Sequence, residues 1–204
     1  SGTSWLDVAR RDWDDDLLAA TGLARRHMPK LHEGSAPTGQ LRADLAKRWG
    51  MAHRPVVAGG GGDNAASACG VGVVRPGTAF VSLGTSGVLF VSNQRFSPDP
   101  ETAVHAFCHA VPDTWHQMGV ILSAAGALAL LAGVFGTDAA RLTQPLEADT
   151  RGPGDVIFLP YLGGERTPHN DADIRVSFIG LRYAPARTAL ARAVLEGVAF
   201  AFAD

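Results

Sequence analysis

Apolar residues along this chain fall mostly into short runs broken by glycine and proline, and two stretches near its end carry a longer helical pattern. Leu190, Val194, Val198 and Phe202 recur four residues apart, which places them on one stripe of a helix over about 187–203. Ala189, Ala193, Gly197 and Ala201 run beside that stripe as a ridge of small residues, against which a neighbouring element can pack closely. Ile121 to Phe135 is rich in alanine and leucine and predicts a second, buried helix. Nearer the start, Asp12 caps a predicted helix through Leu17, Leu18 and Ala20 that ends at Gly22. Thr38 or Gly39 leads into another, about Leu41 to Trp49, with Leu41, Leu45, Ala46 and Trp49 on one face. Ser4 to Val8 alternates as a strand does, although Ser4-Trp5-Leu6-Asp7 also matches a capping box. Residues 23–39 read as loop, with Pro29, Gly34, Pro37 and Gly39 as breakers.

The middle of the chain changes period. Thr78 to Leu83 and Val88 to Ser92 are β-rich runs joined by Gly84-Thr85-Ser86-Gly87, which predicts a hairpin. A second strand pair spans about 103–111 and 114–119 and turns at Pro112-Asp113, while Val156–Leu159 and Val176–Leu181 read as further short strands. Arg75-Pro76-Gly77 is the best internal boundary. Strand pairs mixed with long helices indicate an α/β architecture.

The chemistry concentrates at the punctuation. Pro55-Val56-Val57-Ala58 followed by Gly59 to Gly62 and then Asp63-Asn64-Ala65-Ala66 reads as strand, tight loop and helix. Glycines remove every Cβ, so backbone or ligand can come close. Asp63 at the helix start has two readings: an N-cap that accepts first-turn N–H groups, or a carboxylate held open as a general base. Gly84 to Gly87 likewise reads either as good turn chemistry or as a set of N–H and hydroxyl donors for phosphate oxygens. It is not a Walker A loop, because no lysine follows. His105 and His109 fall on one strand face and Cys108 on the other, which argues against a metal site and for partly buried or cleft-lining histidines. The loop carrying Glu165, Arg166 and His169 fits an internal ion pair as well as it fits a functional acid and base. Asp149, Arg151 and Asp155 look like a solvated face.

Composition narrows the classes. The 204 residues are 46% hydrophobic and 19% charged with a net charge of −2, so no basic stripe supports nucleic-acid binding. No run approaches the length of a membrane span. Two cysteines without a paired spacing suit a reducing, cytoplasmic setting. The last residues, Ala199 to Asp204, stop inside the predicted helix, and the expectation is a piece of a longer protein. Unpaired apolar surface in such a piece leaves a homodimer open.

Five stretches in series resemble the FGGY family of carbohydrate kinases. They are Val57-Ala58-Gly59-Gly60-Gly61-Gly62-Asp63-Asn64-Ala65-Ala66, Ser82-Leu83-Gly84-Thr85-Ser86-Gly87 and His105-Ala106-Phe107-Cys108-His109-Ala110. Phe158-Leu159-Pro160-Tyr161 with Gly164-Glu165-Arg166-Thr167-Pro168-His169, and Ala191-Arg192-Ala193-Val194-Leu195-Glu196-Gly197, complete the set. The resemblance runs the whole length, and it implies an α/β chain holding part of an actin-like, ribonuclease-H-like two-lobed sugar kinase fold, its lobes closing over a cleft. Residues 1–73 would end the sugar-binding lobe and 74–204 would begin the ATP-binding lobe. By the same resemblance Asp63 is the catalytic base, Asp63 and Asn64 hold sugar hydroxyls, and Gly84, Thr85 and Ser86 with Ala125 and Gly126 meet the ATP phosphates. Mg2+ would come mainly on those phosphates, with no protein metal cluster. The small-molecule partners would be a sugar and ATP, and the Gly-Asp-Asn and Glu-Arg-Thr-Pro-His forms favour D-xylulose over glycerol. Kinases for ribulose, gluconate or another polyol, or a non-catalytic sugar- or nucleotide-binding remnant, are the alternatives. Leu130, Val176 and Ala189 depart from the family pattern without touching the reacting groups. By the same resemblance, the family's N-terminal phosphate loop, its earlier sugar-contacting residues and its C-terminal adenosine segment would be missing from this stretch.

Overall fold

The computed structural model describes residues 2–146 and 152–204. Asp149 and Arg151 therefore lie outside the described residues. Asp155 is described, and its ion pair with Arg182 at 3.0 Å, with both side chains some four-fifths exposed, suits a solvated face.

The chain divides into two compact units, one made of Ser1–Phe80, Phe90–Pro98 and Ala106–Gln117, the other of Val81–Leu89, Asp99–His105 and Met118–Asp204. The first begins with β1 (Leu6–Asp7) antiparallel to β2 (Asp12–Trp13), then helix α1 (Asp15–Ala20). Asp14 caps α1, not Asp12: it has extended backbone and accepts the Leu17 N–H, while Asp12 sits in β2 and pairs with Arg25. Gly22, with φ +74°, follows its end as expected. The segment read as loop contains β3 (Pro37–Gln40), so Thr38 and Gly39 lie in a strand rather than before a helix. A proline can open β3 because its only partner in a two-stranded ribbon is β4 (Val56–Ala58). Helix α2 (Ala43–Arg48) lies between them and buries Ala46, whereas Trp49 is 58% exposed and off the core. Helix α3 (Asp63–Gly70) buries Ala65 and Ala68.

Four strands follow: β5 (Ala79–Leu83), β6 (Gly87–Asn93), β7 (His105–Cys108) and β8 (Trp115–Ile121), in the sheet order β5-β6-β8-β7. Both predicted strand pairs are therefore present, although the first turn is three residues long because Gly87 already belongs to β6. In the first unit, Phe90 is fully buried, stacked on Phe80 at 5.0 Å and on His116 at 4.4 Å between ring centroids.

The second unit adds α4 (Ala125–Val134), α5 (Ala139–Thr143), β9 (Ile157–Leu159), β10 (Ser177–Ile179) and α6 (Arg187–Ala203). Helix α4 starts four residues later than predicted, since Val120 and Ile121 are β-branched and continue β8. Strands β9 and β10 pair antiparallel, Phe158 opposite Phe178. The core of this unit is Ala127, Leu131, Ala132, Leu142, Phe158, Ala191, Ala193 and Val194. The small ridge of α6 explains how it fits: a Cβ on Gly197 would run into the Phe158 carbonyl, so only glycine lets the helix lie on β9. Among the described residues no single helix is long and apolar enough to cross a membrane.

Candidate functional site

The glycine-rich loop of the first unit is held from beneath. After β4, the Gly59 N–H donates to Ala36 O at 3.0 Å and the Gly60 N–H to Gly34 O at 2.9 Å. A Cβ on Gly59 would strike the Glu33 carbonyl, and one on Gly61 would lie 2.8 Å from the Ala110 Cβ. Gly34 is in the same position against the Ala110 carbonyl. Two of the four glycines are thus required by close approach, and Gly60, at φ +78°, by its backbone conformation.

This packing presents Asp63 at the first residue of α3. The N-cap is Gly62, with no side-chain cap, so the capping reading of Asp63 is corrected. Its Oδ1 accepts the Asn64 N–H at 2.8 Å and lies 3.4 Å from Asn64 Nδ2, while the side chain is exposed and Oδ2 has no protein partner among the described residues. The helix N-terminus favours the negative charge there. One oxygen is therefore fixed and the other is open for a hydroxyl.

Below this loop sits His109, 3% exposed. Its Nε2 lies 3.0 Å from the Val73 carbonyl, which can only accept, so Nε2 carries the proton and Nδ1 accepts the Val111 N–H at 3.1 Å. Burial pushes its pKa down; the Val73 bond opposes that and the nearby Arg11 charge adds to it. His109 thus ties Val73, beyond the end of α3, to the segment after β7, whose next residue, Ala110, packs under Gly61. Among the described residues no group of three or more His, Cys, Asp or Glu side chains could hold a metal ion.

The turn of the second unit is built differently. Its carbonyls are occupied: Ala125 N donates to Gly84 O at 2.9 Å, and Ala124 N and Gly126 N donate to Thr85 O at 2.8 and 3.1 Å. The first N–H groups of α4 are thus spent on the turn itself. Gly126 must lack a side chain, because a Cβ there would lie 2.9 Å from Thr85 O. Gly84 N donates to Ser86 O at 2.9 Å. The N–H groups and hydroxyls of Thr85 and Ser86, both exposed residues, have no protein partners among the described residues. Such a set of donors suits phosphate oxygens. Ala125 and Gly126, which the family resemblance sets among the phosphate-contacting residues, meet the carbonyls of this turn.

The Glu165 loop lies in the same unit, and of its two readings the internal ion pair is not formed by Glu165, which meets backbone N–H groups instead among the described residues. Glu165 is 4% exposed, and its Oε1 accepts the N–H groups of Leu122 at 2.8 Å and of Arg166 at 2.7 Å. Its backbone pairs both ways with Asp171. His169 instead meets Tyr161 Oη at 2.8 Å, and burial raises the Tyr161 pKa, helped by Asp204 and Glu165. The bonds from Glu165 to Leu122 and from Thr167 to Val120 left no signal in the sequence, because a backbone N–H has no residue identity.

The sequence profiles of the FGGY family of carbohydrate kinases match the chain twice, the N-terminal domain over residues 1–70 and the C-terminal domain over residues 79–204. The chain is similar to the xylulose kinase of Escherichia coli K12, with 52% identity over all of this chain and 42% of that protein. Among solved structures it is similar to a xylulose kinase of Brucella ovis, with TM-score 0.97 and 59% identity over 99% of this chain and 42% of the other. A xylulose kinase of Rhodospirillum rubrum matches with TM-score 0.85 and 28% identity over 97% of this chain and 40% of the other. The chain thus spans about two-fifths of the length of these relatives. The α/β architecture expected from the sequence, part of the actin-like sugar kinase fold, is the one these structures share.

Proposed function

Because the chain belongs to the FGGY family of carbohydrate kinases, we propose that it forms part of an ATP-dependent kinase that converts D-xylulose to D-xylulose 5-phosphate. Residues 1–73 would close the sugar-binding lobe and 74–204 open the ATP-binding lobe. The observation that carries the reading is Asp63: a carboxylate with one oxygen fixed on its own helix and the other open, on a loop stripped of side chains. In this reading the open oxygen of Asp63 takes the proton of the sugar hydroxyl as the hydroxyl oxygen bonds to the γ-phosphorus and the bond from phosphorus to ADP breaks. Aspartate is a weak base at neutral pH, and it suffices because the transition state is loose and the proton leaves late. Asn64 holds sugar hydroxyls beside it.

Thr85 and Ser86 supply the donors for the transferring phosphates, within the turn that Gly84, Ala125 and Gly126 shape. Positioning and charge stabilisation are most of what phosphoryl transfer asks of a protein. Mg2+ would enter with ATP, neutralising phosphate charge and keeping much of its water. The setting would be cytoplasmic, with a sugar and ATP as partners. The test is a coupled assay of ADP release by the full-length enzyme across xylulose, ribulose, gluconate and glycerol. The expected result is the highest kcat/KM for xylulose; a higher value for any other sugar would replace the substrate assignment, and no ADP release with any would refute the kinase.

A further inference from the structure

We propose that Glu165 is a positioning residue for the ATP-phosphate turn, acting through the β8–α4 junction; this rests on the reading of Gly84–Ser86 as that turn. Carboxylates are rarely this buried without a charged partner. Glu165 has none among the described residues, and both hydrogen bonds of its Oε1 come from backbone N–H groups, those of Leu122 and Arg166. Its second oxygen, Oε2, is buried and has no hydrogen-bond partner. The side chain is therefore held as an acceptor for main chain.

The main chain it holds leads directly to the turn. Leu122 follows the end of β8, and two residues on, Ala124, Ala125 and Gly126 donate their N–H groups to the carbonyls of Gly84 and Thr85. Thr167 supports the same junction from the same loop: Val120 N donates to its Oγ1 at 3.1 Å, and Thr167 N donates to Val120 O at 3.1 Å. Residues 120 and 122 are thus fixed by one loop and residues 124–126 fix the turn. Moving the junction would swing the donors of Thr85 and Ser86 without removing any of them.

Because Oε1 alone is used, an amide oxygen should replace it. In the full-length enzyme Glu165→Ala leaves two part-buried N–H groups, those of Leu122 and Arg166, without their acceptor. The expected result is a KM for ATP at least about tenfold higher, with the KM for sugar within about twofold. Glu165→Gln should keep the KM for ATP within about threefold of wild type, since it retains the acceptor. If Glu165→Ala does not fold, Thr167→Val, which removes the acceptor of Val120 N–H while keeping the shape, should still raise the KM for ATP by about threefold or more. A glutamine variant as impaired as the alanine one would overturn the proposal, because charge rather than acceptor geometry would then matter. So would an unchanged KM for ATP in Glu165→Ala, or in Thr167→Val where that variant stands in. Thr85→Ala separates the two layers of the argument. If it raises the KM for ATP while Glu165→Ala does not, the turn is right and the positioning role wrong; if neither does, the turn itself is misassigned.

Discussion

Replacing Gly61 by alanine tests whether the packing beneath the glycine-rich loop sets the position of Asp63. The new Cβ would lie 2.8 Å from the Ala110 Cβ. Carbon atoms rest at about 3.5–4.0 Å, so the loop and the segment carrying Ala110 must part by roughly 1 Å. Gly61 is not among the glycines of positive φ, so backbone strain adds nothing and the effect is steric. Overpacking of this kind costs about 1–3 kcal/mol. Asp63 is two residues away, and a shift of about 1 Å at a reacting group is worth about a hundredfold in rate. The expected outcome in the full-length enzyme is a lower thermal midpoint and a kcat reduced between about tenfold and a hundredfold. Ala110→Gly removes the opposing methyl, so the double variant Gly61→Ala/Ala110→Gly should recover most of the kcat, a coupling that a double-mutant cycle measures directly. Gly62→Ala is the control for stability: its φ is −61° and a Cβ there meets nothing within 4 Å, so the thermal midpoint should not move. A kcat for Gly61→Ala within about threefold of wild type, or no recovery in the double variant, would refute the reasoning.

Asp63→Asn should lower kcat by at least about a hundredfold in steady-state assays of the full-length enzyme while ATP binding, measured by calorimetry, stays nearly unchanged. Retained activity would remove the general-base role. The pH dependence of stability has a definite sign. His109 and His105 are both pushed below their ordinary value of 6.5 by burial, with Arg166 adding to the effect on His105 and Arg11 to that on His109. The unfolded chain then takes up protons before the folded one, so stability is complete above about pH 6.5 and is lost as pH falls through the lower folded values. The lowered carboxylates Asp7 and Asp12 act only below their ordinary 3.8, so melting between about pH 7.5 and 5.5 isolates the histidines. The thermal midpoint should drop across that window and drop less in His109→Gln; a midpoint that rises on acidification would contradict the buried neutral tautomer.

Much of the fold is legible in local pattern. The period-four stripe of α6, the two strand pairs and the strand–glycine–helix stretch ending at Asp63 all stand where their residues predict, because side-chain periodicity and glycine placement express backbone preferences that act over a few residues. Errors occur where several residues compete for one local role. Asp12 and Asp14 can both cap a helix, and the backbone of the β1–β2 ribbon selects Asp14. Val120 and Ile121 suit either the end of a strand or a buried helix, and sheet pairing takes them into β8.

The sequence by itself determined which residues could do the chemistry: a lone aspartate behind glycines, a turn of hydroxyls, and an acid near a histidine. Tertiary structure decided how each is used. It placed Ala110 under Gly61 and Gly34, turned the first N–H groups of α4 onto the carbonyls of the turn, and set Glu165 against the Leu122 amide 43 residues away as well as that of Arg166. Those outcomes depend on which N–H meets which oxygen after the chain has folded. Main-chain donors are alike at every residue, so only the path of the backbone can assign their partners.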